Sequence, residues 1–163
     1  MNWTKHDGGR AAAGYKGEAG DCVVRAIAIA TGLPYAKVYE DLHEATKAFG
    51  ASRRCRVSKS IRAGYSSPRN GVFKDVYHPY LKSLGWRWTS CMGIGTGCQT
   101  HLAANELPNG NLIVQVSRHV VAVIDGTVYD THDPTRGNKR CVYGYWSKET
   151  ERKLPIWSHG HGH

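Results

Sequence analysis

No run in the 163-residue chain approaches the roughly 20 consecutive apolar residues of a membrane-spanning helix, so no membrane partner is expected. The opening "MNWTKHDGGRAAAGYKGEAG" has no apolar core of the kind a secretory signal carries, and a cytoplasmic protein is the expectation. Acidic residues are scarce. Lys+Arg number 22 against 13 Asp+Glu, a net charge of +9 that favours acidic partners: nucleic acid, an acidic protein face or an anionic surface. An even set of cysteines is missing too. The five, at 22, 55, 91, 98 and 141, are odd in number and scattered, which speaks against a disulfide framework and for reduced thiols. Gly93, Gly95 and Gly97 lack both the strand-to-helix setting of a dinucleotide site and a following Lys-Ser/Thr pair, so they read as a flexible turn forming one wall of a cleft. Cys91, Cys98 and His101 do not have zinc-finger spacing. Neither a metal nor an organic cofactor is expected.

With 40% hydrophobic and 21% charged residues, 9 Tyr and 5 Trp, the composition is that of a globular protein with aromatic surface to bury. No repeat or linker divides it. A single domain is expected over 1–157, followed by a loose His/Gly tail at 158–163. The Gly- and Ala-rich opening reads as extended, without regular structure. A first helix follows, capped by Asp21, apolar from Val23 to Ala30 and stopped at Gly32; being apolar nearly all round, it should be buried. A second runs from Pro34 to Gly50 with Val38, Leu42, Ala45 and Phe49 at helical spacing. "NGVFKDVYHPYLKSLGW" suggests one or two short helices, capped at Asn70 and restarted at Pro79. Strands follow: "WRWTSCM", then "NLIVQVSRHVVAVIDGTVYDTHDP" with a type I′ turn at Asp125-Gly126, then "YGYW". Trp86 and Trp88 share a strand face and read as core. Helices first and an antiparallel sheet after them mean an α+β fold.

Cys22 sits in the first turn of the buried helix. There the helix dipole and unpaired backbone N–H groups favour thiolate, and such cysteines have pKa values lowered to about 3.5 to 7.5. The plainer possibility is a small buried hydrophobe, as most free cysteines are. The hairpin speaks for chemistry. If Ile124 opposes Thr127 across the turn, then Val121 opposes Asp130 and His119 opposes His132, and strand parity groups His119 with Asp130, a diagonal neighbour able to orient its imidazole. Asp133 falls on the opposite parity, a choice that a bulge would reverse. A thiol, a histidine to take its proton and a carboxylate to hold the histidine's tautomer make a nucleophilic triad.

A helix opened by "DCVVRAIA" and followed far downstream by "ELPNGNLIVQVSRHVVAVIDGTVYDTHDP" resembles the papain-like cysteine peptidase superfamily, and within it the bacteriocin-processing peptidases of the C39 type. About a third of the chain carries this resemblance. It implies a papain-like fold, N-terminal helices packed on an antiparallel sheet, with Cys22 as nucleophile, His119 as general base and then acid, and Asp130 as orienting carboxylate. The C39-type enzymes place a glutamine six residues before the cysteine to help form the oxyanion hole; Lys16 stands there here. Oxyanion donors expected on that pattern are Lys16 and the backbone N–H of Cys22, with Tyr15, Gln99 or Gln115 as substitutes. The whole chain also resembles a family of small proteins of tailed phages and prophages sharing "GRAAAGYKGEAGDCVVRAIAIATG" and "RCVYGYW", which implies no substrate.

The expected activity is therefore hydrolysis of an amide or isopeptide bond in a protein or peptide. Deamidation and acyl transfer begin with the same attack of thiolate on a carbonyl. A different class competes with it. The basic residues are densest at 52–71, "SRRCRVSKSIRAGYSSPRNG", where Arg53, Arg54 and Arg56 could form the binding surface of a non-catalytic module that captures nucleic acid or an acidic host protein. The plainer reading of that segment is a solvated excursion between helices.

Overall fold

A computed structural model describes residues 1–16, 20–52, 54–64 and 66–148. Arg53 and the tail at 158–163 lie outside the described residues, as does the end of the expected domain at 149–157. The elements in chain order are β1 (Asn2–Lys5), α1 (Cys22–Thr31), α2 (Tyr35–Ser52), α3 (Arg56–Arg62), α4 (Lys74–Ser83), β2 (Trp86–Ser90), β3 (Asn111–Val116), β4 (His119–Ile124), β5 (Thr127–Asp130) and β6 (Val142–Lys148). They form an α+β fold around a six-stranded sheet of order β1-β5-β4-β3-β6-β2.

The hairpin has the expected register, Ile124 opposite Thr127 and Val123 opposite Val128. Asp125 and Gly126 both have positive φ, 48° and 79°, as a type I′ turn requires. Two expectations about the sheet fail together. The opening segment is not irregular: β1 lies along β5 in parallel, Asn2 beside Thr127 and Lys5 beside Asp130, which makes the sheet mixed rather than antiparallel. Its four residues are exposed, so main-chain pairing rather than an apolar pattern holds it there.

Two cores sandwich the sheet. On one face, α1, α2 and α4 bury Ile27, Leu42 and Leu81 against Ile113, Ala122 and Trp146; Trp86 is in this core with Trp88 packed against it. On the other, Leu112, Val114 and Val116 meet Val121, Val123 and Val128 under Leu102. A bulge in β6, where Gln115 pairs with Gly144 but Val116 pairs with Val142, reverses the side-chain parity and lets Val142 and Trp146 enter opposite cores. Gly144 is tightly constrained. A Cβ there would lie 2.3 Å from Trp88 Cζ2 and 2.7 Å from the Thr89 carbonyl oxygen. Gly144→Ala is expected to cost about 1–3 kcal/mol through overpacking, read from its urea midpoint; an unchanged midpoint would show that β2 yields freely.

The helices differ from expectation in their ends. Gly32 does stop α1, in the left-handed conformation with its N–H on the Ala28 carbonyl. Asp21 does not cap it: its carboxylate makes no capping bond. α2 continues through Gly50 because α3 packs there. The missing side chain admits Ile61, whose Cγ2 would be 2.7 Å from a Cβ at that site, and Arg62 donates to the Gly50 carbonyl at 2.7 Å. The basic segment thus contains a helix and is more than a solvated excursion. Beyond it lies one helix, α4, with Phe73 at its N-cap position in place of Asn70 and with Pro79 inside it.

Not all five cysteines are thiols. Cys98 and Cys141 form a disulfide with Cα atoms 5.8 Å apart. Backbone hydrogen bonds from Leu102 to Arg140 and from Val142 to Thr100 set the two segments side by side, a pairing 43 residues apart in sequence. This removes Cys98 from any zinc set with Cys91 and His101, and His101 is bonded to Glu106 instead. No described helix is long and apolar enough to cross a membrane.

Candidate active site

Cys22 opens α1, so its N–H has no acceptor in a preceding turn, and its side chain is partly buried at the mouth of a cleft. His119 opens β4 just after the tight turn at Ser117 and Arg118, whose φ is +56°. Asp130 closes β5, anchored by the indole N–H of Trp3 in β1 and by the N–H of His6 just after it, both donating to its carbonyl oxygen. The three side chains meet. His119 Nε2 lies 2.5 Å from Asp130 Oδ2, and His119 faces Cys22 closely enough for each to shift the titration of the other. With Nε2 committed to the carboxylate, Nδ1 is the ring nitrogen left for the sulfur.

Each group is shifted from its ordinary behaviour. Burial alone would push the Cys22 thiol up, but the hydrogen bond and charge of His119, the Val120 N–H and the Arg25 charge bring it below the usual cysteine value. Burial alone would lower His119; its bonds to Asp130 and Cys22 instead raise it to about 9. Asp130, which burial would raise, is lowered by His119, by the Thr131 N–H at 2.7 Å and by Arg25. These shifts favour a thiolate facing an imidazolium.

Behind them runs a buried chain of charges that sequence reasoning missed. Arg25 Nη2 lies 3.4 Å from Asp130 Oδ1, and Arg25 also grips Asp21. Asp21 in turn takes Arg10 at 3.3 Å and the Tyr35 hydroxyl, while Arg10 donates to Tyr35 at 2.7 Å. From Arg10 to Cys22 the signs alternate: Arg10, Asp21, Arg25, Asp130, His119, Cys22. The available signal was Arg25 itself, a lone cation in an apolar helix one turn from the cysteine and four residues from Asp21.

Two recesses meet at Cys22 and His119, with Asn70, Gly71 and Arg118 on their shared rim. One, about 500 Å³, has mostly apolar walls from Val72, Phe73, Tyr77 and Val120, with Gln115 among them. The other, about 750 Å³, is polar, with Lys5, Asp7, Arg10, Tyr15 and His132. Lys16, expected beside the nucleophile, is exposed and lines neither recess; its carbonyl oxygen accepts from Arg10 instead, which turns its backbone inward and its side chain out. Gln99 is exposed on a loop away from the cleft, and the glycine turn at 93–97 forms no wall of either recess. Of the substitutes, Tyr15 and Gln115 reach the cleft, one in each half.

His119 and His132 have ring centroids 5.4 Å apart. Together with Asp130 they offer ligand-capable atoms within 4.8 Å of one another, near enough to share a cation, although the His119–Asp130 pair is already bonded to itself. Arg54, Arg56, Lys59 and Arg62 surround a separate recess of about 620 Å³ beside the exposed Cys55. Compared with known protein families, curated proteins and solved structures, the chain matches none.

Proposed function

We propose that this chain is a papain-like cysteine hydrolase that cleaves an amide or isopeptide bond in a protein or peptide, with Cys22, His119 and Asp130 as its catalytic groups. The observation that carries this is the convergence of Cys22, at the opening of a buried helix, with His119 and its hydrogen-bonded Asp130, Cys22 and His119 both lining the cleft. The Cys22 thiolate attacks the carbonyl carbon and the carbonyl π electrons pass to oxygen, where the Cys22 N–H can receive the negative charge. As the tetrahedral intermediate collapses, the C–N bond breaks and the His119 imidazolium gives its proton to the departing amine. Neutral His119 then takes a proton from water, whose oxygen displaces the thiolate from the acyl-enzyme. Asp130 holds the tautomer throughout. No cofactor enters these steps. Following the resemblance to phage and prophage proteins, the natural target is a host or phage protein in the cytoplasm, although the Cys98–Cys141 bridge is of a kind more usual in oxidising compartments.

The test is alkylation by iodoacetamide with peptide mapping. Cys22 should be labelled rapidly at pH 6.5 and Cys91, which burial pushes up, slowly. Exposed Cys55, lowered by its bonds with Ser58, will also react and serves as an internal control. Labelling of Cys22 no faster than Cys91 overturns the proposal.

A second reading rests on the basic recess: a binding module for nucleic acid or an acidic protein, acting through Arg54, Arg56 and Lys59. Arg62 is committed in part to Gly50. On this reading duplex DNA binding falls steeply with salt and weakens in Arg54→Ala with Arg56→Ala at every sequence tested; no binding at low salt removes nucleic acid.

A further inference from the structure

The apolar recess beside Cys22 contains one side-chain amide whose orientation is fixed from behind. Gln115 Oε1 accepts two hydrogen bonds, from the Tyr77 hydroxyl at 2.8 Å and from His78 Nε2 at 3.2 Å. Both donors stay neutral near pH 7, because burial, with the Cys22 charge, raises Tyr77 and burial lowers His78. The His78 ring is itself held against Trp88 and Trp146, with centroids 5.2 and 4.9 Å away. Gln115 Nε2 has no hydrogen-bond partner among the described residues, and the side chain lines the recess.

The position of this amide relative to the nucleophile follows from the sheet. Gln115 pairs with Val120 across the β3–β4 ladder, and both line the recess together with Cys22 and His119. Gln115 therefore stands about one strand spacing, roughly 4.8 Å, from the strand that carries His119. An apolar cavity of about 500 Å³ with one oriented, uncharged donor is the usual form of a selective ligand pocket.

We propose that Gln115 Nε2 donates to a backbone carbonyl oxygen of an extended peptide whose large apolar side chain fills this recess, so that the substrate carries an apolar residue next to the bond attacked. This names the substrate class and rests on the cysteine-hydrolase reading above. Gln115 is a positioning residue here. Its amide fixes the peptide against the recess while Cys22 and His119 do the chemistry.

The experiment uses the full chain and three reagents that alkylate Cys22: iodoacetamide, acetyl-glycyl chloromethyl ketone and acetyl-phenylalanyl chloromethyl ketone. Each ketone rate is divided by the iodoacetamide rate of the same variant, which removes changes in thiolate content. The phenylalanyl reagent should exceed the glycyl one by about tenfold or more. Gln115→Glu keeps an acceptor oxygen for Tyr77 and His78 but has no N–H2 to donate, and it should lose about tenfold of the normalised phenylalanyl rate, as should the uncharged Gln115→Leu. Tyr77→Phe, which frees the amide to turn, should fall between. A glycyl rate equal to the phenylalanyl one, or a normalised phenylalanyl rate unchanged in both Gln115 variants, overturns this inference while the hydrolase reading stands. A Cys22 inert to iodoacetamide overturns both.

Discussion

Arg25→Met should lower the stability of the protein by about 3–5 kcal/mol, a large part of the roughly 5–15 kcal/mol that holds a typical domain together. Arg25 is 9% exposed and lies between two carboxylates, Asp21 at 1% and Asp130 at 3%. Methionine fills most of the space of the arginine stem, so the loss is chiefly electrostatic. Asp21 keeps Arg10 and Tyr35, but Asp130 is left with His119 as its only charged partner among those described. Asp130 must then either bear its charge with less compensation or take up a proton. Urea unfolding reads the effect, and adding Asp130→Asn to Arg25→Met should restore part of it by removing the less compensated charge. A change within the roughly 0.5 kcal/mol of ordinary surface substitutions would mean that the charge chain is not structural.

His119→Ala has the largest expected effect on reactivity. The imidazolium is the chief group opposing the burial of Cys22, and without it the thiol should return to or above the usual cysteine value near 8.5. At pH 6.5 that leaves about 1% thiolate, so iodoacetamide should label Cys22 at least several-fold more slowly, while Cys55 in the same molecule is unaffected. Equal Cys22 rates in both proteins would show that the helix, and not the histidine, sets the thiol. The unaltered protein should show hydrolysis falling away above pH 9, where His119 gives up the proton the leaving amine needs.

The same shifts predict how stability responds to pH. His119 is raised from 6.5 to about 9, so its contribution is complete below 6.5 and is lost as pH rises through 9. Asp130 is lowered from 3.8, so its contribution is present above 3.8 and is lost as pH falls. Their bond therefore contributes most between about 3.8 and 6.5. Asp130→Asn should flatten urea midpoints at both edges of that window.

The hairpin was legible in the sequence because its turn is local: Asp125-Gly126 can adopt the positive φ values a tight turn needs, and counting outward by twos brings His119 toward Asp130. α1 was legible for a similar reason, an apolar run closed by Gly32. What escaped depends on distant parts of the chain. "NWTK" has no apolar alternation, and only the open edge of β5 makes it a strand. Asp21 looks like a cap until Arg10, Arg25 and Tyr35 converge on it. Lys16 was expected beside Cys22 as an oxyanion donor, yet the backbone there turns it outward. The Cys98–Cys141 link joins two loops whose neighbourhood exists only once β6 is in the sheet.

β1 has its partner at the far end of the fold. Lys5 precedes all four helices in the chain and the strand it lies against follows them, and Cys22 is likewise separated from His119 by the other helices. A growing chain therefore carries the Cys22 helix early with an ordinary thiol. The thiolate arises late, when β4 and β5 arrive and the opening segment closes over them. Contacts so widely separated make for slow folding, and they also delay the meeting of Cys22 with His119 and Asp130 until the sheet is built.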